Sequence, residues 1–194
     1  MQLNKELWEK RYADGETGWD IGHASPPLRE FIDGLQDKHL RILIPGAGNA
    51  YEAEHAHRSG FANVTVIDLA AEPLRALKQR CPDFPEGHLI QGEFFQHEAQ
   101  YDVILEQTFF CALDPALRPR YVQHMHRLLA PGGRLVGVLF HDALNTDKPP
   151  FGGFVPEYEE LFKPFFPTAT FETCRNSVGP RAGREVWLRA VKNR

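Results

Sequence analysis

The sequence predicts an α/β fold in which a doubly wound, mostly parallel β-sheet forms the centre of one domain, residues 1–194. Short apolar runs alternate with segments of helical periodicity along the middle of the chain, which is typical of parallel strands joined by helices. The first apolar run ends in Pro45-Gly46-Ala47-Gly48. Two glycines at that place permit a tight strand-to-helix turn and let a ligand approach the backbone.

Residues 1–25 are predicted to form an aromatic arm. A short helix leads into a loop rich in glycine and proline, and Trp8, Tyr12 and Trp19 lie close together in this stretch. Their rings suit stacking on a flat ligand or attraction of a cation. Anchoring of the arm to the core is an equal alternative, and both roles are compatible.

The central part of the chain predicts five strands separated by helices. The strands are expected at residues 40–44, 62–67, 88–91, 101–105 and 134–140. The helices between them are expected at residues 50–59, 71–80 and 115–130. Gly60 is a typical C-terminal stop for the first of these helices, and Pro131-Gly132-Gly133 predicts a turn before the fifth strand.

The C-terminal part follows a different pattern. Residues 141–155 are too long for a plain connection and predict a cover loop over the site. A helix is expected at residues 156–165, followed by strands at 168–174 and 185–191 with a hairpin loop between them. The sheet is therefore expected to end in an antiparallel pair.

Polar and small residues collect at the carboxyl ends of the predicted strands. Gly46–Gly48, Asp68, Glu93–Phe94 and Glu106–Gln107 all occupy such positions, where open α/β sheets bind their ligands. Asp68 ends the second strand, where an acidic side chain can hold a ribose hydroxyl pair. The four stretches together predict a nucleoside-containing ligand.

Composition and charge exclude several classes of protein. The net charge is −4 and no long basic run occurs, so nucleic acid is not expected as a partner. No apolar run has membrane-spanning length and no signal-peptide core is present, so no membrane association is expected. The distant Cys81, Cys111 and Cys174 form neither a metal-ligand spacing nor a disulfide framework, which favours a reducing cytoplasm and no metal. A domain of this size can work as a monomer.

Five stretches resemble a known family. They are Trp8-Glu9-Lys10-Arg11-Tyr12, Gly15-Glu16-Thr17-Gly18-Trp19-Asp20, Pro45-Gly46-Ala47-Gly48, Thr108 to Pro115 with Arg118-Pro119, and Pro149-Pro150-Phe151. Together they resemble class I S-adenosylmethionine-dependent methyltransferases of the thiopurine methyltransferase superfamily, above all its thiol/halide branch. The resemblance implies a seven-stranded Rossmann-like sheet, S-adenosyl-L-methionine as cofactor and a small-molecule methyl acceptor.

The resemblance also implies roles for individual residues. The cofactor-binding set comprises Trp8, Tyr12, Trp19, Gly46, Gly48, Asp68, Glu93, Phe94 and Gln107. In such enzymes the aromatic arm wraps the cofactor and the reaction pocket, Gly46 lies against the methionine portion, and Glu93 and Phe94 bind the adenine. Phe109, Phe110 and Phe151 are expected to line a small apolar acceptor pocket, which strengthens attack by a desolvated anionic nucleophile.

The acceptor and some roles stay open at this stage. Thiol, halide, thiopurine and chalcogen oxyanion acceptors all fit, and no catalytic residue is assigned. His23 and His141 lie in candidate pocket loops, and Arg118 and Arg184 are candidates for attracting an anion or are plain surface charges. A cofactor-binding sensor without turnover and a dinucleotide-dependent oxidoreductase are the alternative functions; Ala50, where such oxidoreductases carry a third glycine, argues against the latter.

Overall fold

The computed structural model describes residues 3–194, whose strands form one seven-stranded sheet. The strands are β1 (Ile42–Pro45), β2 (Val64–Asp68), β3 (Leu89–Gln91), β4 (Tyr101–Gln107), β5 (Leu129–Phe140), β6 (Thr170–Thr173) and β7 (Glu185–Val191). Their spatial order is β3-β2-β1-β4-β5-β7-β6, and only the pairings of β7 are antiparallel. The predicted fold class is confirmed.

Helices cover both faces of the sheet. They are α1 (Lys5–Ala13), α2 (Pro26–Asp33), α3 (Tyr51–Arg58), α4 (Ala71–Arg80), α5 (Arg118–Leu128) and α6 (Val155–Phe162). Because neighbouring strand residues point to opposite faces, Ile42 and Ile44 join the core that contains α2–α4, whereas Leu43 joins the core that contains α5 and α6. Burial on both faces explains why β1 is a continuous apolar run.

Several element boundaries differ from the prediction, and two of the differences concern the centre of the sheet. β5 begins at Leu129, so the expected turn at 131–133 is a bulge within the strand: pairing with β4 jumps in register there, and Gly132 has a φ of +78°. Two backbone hydrogen bonds with Lys192, one from the amide of Gly132 and one to the carbonyl oxygen of Gly133, hold the bulge in the sheet. β4 extends to Gln107, so Glu106 and Gln107 belong to the strand.

Segment 141–155 is held close to the sheet. Isolated bridges join Asp142 to Gly153 and Asn145 to Phe151. Arg118, at the start of α5, donates to the carbonyl oxygen of Gly152 at 2.9 Å. The segment therefore has a defined position beside the carboxyl ends of β4 and β5. None of the helices in residues 3–194 combines the length and hydrophobicity needed to cross a bilayer.

Candidate active site

A cavity of about 540 Å³ opens at the carboxyl ends of the central strands. It lies beside β1 and β4, between which the strand order reverses, and such a reversal point is the usual ligand site of this architecture. Its volume falls within the range of roughly 300–1,000 Å³ for ligand pockets. Nine of the residues named from the sequence line it: Trp8, Tyr12, Trp19, Gly46, Gly48, Asp68, Glu93, Phe94 and Phe109.

The glycine turn after β1 forms the floor of the cavity. Gly46 and Gly48 have φ angles of +61° and +54°, in the left-handed region that favours glycine. A Cβ atom on Gly46 would lie only 2.2 Å from the ring of Phe109. The turn and the segment after β4 therefore pack too closely for any side chain at position 46.

Asp68 is oriented by two backbone amides, one from the glycine turn and one from the turn that follows β2. One carboxylate oxygen accepts from the amide of Ala47 at 2.9 Å, and the other accepts from the amide of Ala70 at 2.8 Å. Burial raises the pKa of Asp68 to about 6, against the lowering effect of these hydrogen bonds. Each oxygen keeps a second lone pair for a ligand hydroxyl.

The aromatic arm forms the opposite wall. The Trp19 ring meets those of Trp8 and Tyr12 edge-on at centroid distances of 5.8 and 5.5 Å, and the Arg11 guanidinium lies 4.9 Å from the Trp19 ring. Tyr12 donates to the carbonyl oxygen of Gly48 at 3.3 Å. None of the nine residues of α1 is fully buried, and Trp8, Arg11 and Tyr12 of this helix line the cavity.

A second aromatic group lies at the end of β3. The rings of Phe94 and Phe109 meet edge-on at 5.0 Å, and Phe94 is itself buried against His124 at 4.7 Å. Glu93 is exposed and lines the cavity beside Phe94. The pair thus presents a carboxylate and a fixed ring edge to the same space.

Three predicted site residues lie outside the main cavity. Gln107 lines a neighbouring recess with Trp19 and the glycine turn, and its buried Oε1 has no hydrogen-bond partner in the described part of the chain. Phe110 points into the core between Tyr121 and Tyr158, because adjacent residues in the turn project to different sides. Phe151 is buried, and its amide N–H donates to the carbonyl oxygen of Cys111. The expectation that the last two line the acceptor pocket does not match their positions.

Further residues line the cavity: some belong to the motif stretches and the cover loop predicted at the site, whereas Arg120, Phe140 and Arg181 are not indicated by any sequence pattern. Arg11, Arg120 and Arg181 line the cavity, as do Phe140, Leu144, Pro149 and Pro150. The buried Arg181 donates to the carbonyl oxygen of Trp19 at 2.8 Å and lies 3.7 Å from the buried Glu185. It belongs to the predicted hairpin loop, where no local pattern distinguishes it from a surface arginine.

Of the remaining arginine and histidine candidates, one lines the main cavity and the others do not. Arg184 lines the cavity and is paired with Asp142, whereas Arg118 is directed to the backbone of segment 141–155. His23 lines only the recess, and His141 accepts from the amide of Val155.

The donors and acceptors present fit S-adenosylmethionine. The buried indole N–H of Trp19 and the Oε1 of Gln107 lack partners within residues 3–194, and both residues line the recess. A ligand with a polar tail can satisfy these two groups. Asp68 suits a ribose, and the exposed Glu93 beside Phe94 suits an adenine.

Solved structures share the fold of this chain. The chain is similar to Burkholderia thailandensis 1,6-didemethyltoxoflavin-N1-methyltransferase, whose structure contains 1,6-didemethyltoxoflavin and S-adenosylhomocysteine. The TM-score is 0.78 with 19% identity over 98% of this chain and 87% of the other. The fold is that of class I S-adenosylmethionine-dependent methyltransferases.

Sequence comparison defines the family. A family model described as thiopurine S-methyltransferase matches residues 3–192, and the chain belongs to this family. It is 30% identical to "Probable thiol methyltransferase 2" of Arabidopsis thaliana over 92% of this chain and 81% of the relative. It is 24% identical to a thiopurine S-methyltransferase of Vibrio vulnificus (strain YJ016) over 93% and 91% of the two chains. The chain is therefore an S-adenosylmethionine-dependent methyltransferase, which confirms the resemblance.

Proposed function

We propose that the protein transfers the methyl group of S-adenosylmethionine to a small, soft, anionic nucleophile, of which a thiolate is the best fit. The names of its relatives, among them thiol, thiocyanate and thiopurine methyltransferases, support a sulfur acceptor. The cavity adds a chemical reason that does not depend on those names.

That reason is the absence of a nitrogen base from the described lining of the cavity. Among residues 3–194, no histidine or lysine lines it. Burial raises the pKa of Tyr12 above its usual range and that of the Cys111 thiol to about 12, so both stay protonated. Three carboxylates of the described residues do line the cavity: Asp68 and Glu93 are assigned to the cofactor in this proposal, and Asp114 accepts from the amide of Ala116 at 2.9 Å. An acceptor that arrives ionised, or ionises easily, needs no base.

The proposed cofactor site uses the predicted residues in separate roles. Gly46 and Gly48 leave room for the ligand, Asp68 holds the ribose, and Glu93 with Phe94 binds the adenine. Trp8, Tyr12 and Trp19 cover the ligand, and Gln107 accepts a hydrogen bond from its polar tail in the recess. Bound S-adenosylmethionine supplies a methyl group already activated by its sulfonium.

The acceptor end of the cavity is proposed to lie beside Arg181 and Arg184. Apolar side chains of Phe140 and Leu144 line the cavity as well, with Pro149 from the cover segment. Guanidinium groups attract an anion, and an apolar wall removes its hydration before attack. The protein thereby aligns the nucleophile and excludes water, without taking up a proton.

A panel of acceptors tests the chemistry. Thiols, halides and thiopurines are assayed for methyl transfer beside a phenol and an amine of similar size. Thiols and soft anions are expected to react, with rates that follow the ionised fraction of the thiol. Transfer only to the phenol or the amine would refute the proposal.

A matched pair of variants tests the acceptor end. Arg184→Met is expected to raise the KM of an anionic acceptor about tenfold, the effect of one lost charged contact. Arg189→Met removes an exposed arginine of β7 that does not line the cavity, and is expected to leave that KM unchanged. Equal effects of both substitutions would argue against an acceptor beside Arg184.

We further infer that residues 1–194 act as one domain, as a cytoplasmic monomer that binds no nucleic acid. Three free, buried cysteines and a net charge of −4 support this inference. Light scattering at working concentration measures the mass of the particle, and a dimer mass would contradict it.

A further inference from the structure

Glu106 is a buried carboxylate just before the turn that leads from β4 into the cavity wall. Its side chain has no exposed surface. Oε1 accepts from the amides of Phe109 at 2.8 Å and Phe110 at 2.9 Å, and Oε2 accepts from the hydroxyl of Tyr121 at 2.6 Å. One side chain therefore fixes two successive amides of the turn and ties them to α5.

The turn that Glu106 holds has a strained backbone. Thr108 has a φ of +57°, which a β-branched residue rarely adopts and which persists only where neighbouring contacts impose it. The two amides bound by Glu106 follow Thr108 directly. The carboxylate is thus placed to stabilise an unfavourable backbone conformation that the turn would not keep without these hydrogen bonds.

The same turn presents Phe109 to the site. Its ring lies against Gly46 and meets Phe94 edge-on at 5.0 Å, so it links the glycine turn of β1 to the aromatic group after β3. A shift in the turn would move this ring toward or away from the ligand space.

The fold accommodates the carboxylate at an evident cost. Burial raises the pKa of Glu106 to about 7, against the hydrogen bonds from Tyr121 and the two amides, and an apolar side chain would be easier to bury. A fully buried carboxylate with three hydrogen bonds in the middle of the sheet is not explained by apolar packing.

We propose that Glu106 is a positioning residue for methyl transfer, which holds the Gln107–Phe110 turn so that Phe109 forms the cavity wall between Gly46 and Phe94. Glu106 does not line the cavity itself, and it acts through the turn. This inference rests on the proposed function for its activity readout, but its binding and hydrogen-exchange readouts do not require the acceptor to be known.

Two substitutions at one position separate positioning from charge. Glu106→Leu removes the acceptor for both amides and is expected to lower kcat/KM about 100-fold, as a displacement near 1 Å can do, and to raise the Kd of S-adenosylhomocysteine about tenfold. Glu106→Gln keeps a carbonyl oxygen for the amides and an NH₂ group for the Tyr121 oxygen, so it is expected to restore most of both. Hydrogen exchange at the Phe109 and Phe110 amides is expected to be fast in the leucine variant and slow in the glutamine variant.

Controls distinguish this role from general stability. Val103→Ala removes buried methyl groups from the same strand, and at an equal loss in Tm it is expected to leave the Kd of S-adenosylhomocysteine unchanged. If it raises that Kd as much as Glu106→Leu, or if Glu106→Gln is as damaging as Glu106→Leu, the proposal is overturned.

Tyr121→Phe carries the test should Glu106→Leu fail to fold. It removes the hydroxyl from Oε2 and is expected to lower kcat/KM about fivefold, because Glu106 then loses its link to α5 and holds the turn less firmly. Tyr101→Phe makes the same chemical change at the other end of β4, where the hydroxyl contacts His97, and is expected to leave kcat/KM unchanged. Equal effects of the two would overturn the proposal. Failure of the wild-type protein to bind S-adenosylhomocysteine would instead count against the proposed function.

Discussion

Replacement of Gly46 by alanine tests the central geometric claim, that the glycine turn and Phe109 together shape the cofactor space. The new methyl group would lie 2.2 Å from one ring carbon of Phe109 and 2.8 Å from another. Carbon atoms pack at about 3.5–4.0 Å, so the ring must retreat by more than about 1 Å. Its neighbour Phe94 limits that movement.

Two terms set the size of the effect. Alanine in the left-handed region costs about 1–2 kcal/mol, and an extra methyl group in a packed site costs about 1–3 kcal/mol. The free energy of unfolding is therefore expected to fall by about 2–5 kcal/mol. Activity is expected to fall about 100-fold, because a wall of the site moves by about 1 Å.

Gly60→Ala is the matched control. Gly60 has a φ of +90° and open space around the position of a Cβ, so this variant has backbone strain without the clash. Urea unfolding and calorimetry with S-adenosylhomocysteine are measured for both variants. The reasoning is refuted if Gly46→Ala binds the ligand as tightly as the wild type and loses no more stability than Gly60→Ala.

Three further predictions concern buried polar groups. Burial raises the pKa of Glu106 from an ordinary value of 4.5 to about 7 in the folded protein, so ionisation of Glu106 destabilises the fold as the pH rises between these values. In urea unfolding, the stability of Glu106→Gln relative to the wild type should therefore increase by about 2–3 kcal/mol from about pH 5 to pH 8. A difference that stays constant with pH would contradict this. Arg181→Met leaves Glu185 buried without its cation and should cost about 3–5 kcal/mol, part of which Glu185→Gln should recover in the double variant; purely additive losses would contradict the pairing. Because burial raises the pKa of Cys111 to about 12, its thiol should resist iodoacetamide at about pH 8 until the protein unfolds; rapid modification of Cys111 in the native state, detected by mass spectrometry, would contradict it.

The strands of the sheet can be predicted from the sequence because each is a short apolar run that ends at a local signal, such as a glycine turn or an acidic residue. Asp68 could be placed because it ends an apolar run at the expected distance from the glycine turn, and β2 does end at Asp68. The bulge in β5 is not predicted, because Pro131-Gly132-Gly133 has the composition of a turn. Its backbone hydrogen bonds with Lys192 hold it in the sheet. Local composition does not contain such distant partners.

The acceptor side was harder to predict for the same reason. Phe109 and Phe110 are identical in type and adjacent, yet one lines the cavity and the other lies in the core. The difference depends on the conformation of Thr108 and on Glu106, which no residue pattern reveals. Arg181 was missed because its two partners, Trp19 and Glu185, are defined only by the tertiary fold.

The hydrogen bond between Arg181 and the Trp19 carbonyl joins residues 162 positions apart, which has a consequence for the order of folding. Closing so long a loop costs entropy that shorter loops do not require, so this contact should form after the parallel strands have paired. A refolding molecule would then pass through a state with an assembled sheet and an open arm. Trp187 on β7 would report the sheet, whereas Trp8 and Trp19 would report the arm, and recovery of ligand binding should follow the slower of the two signals.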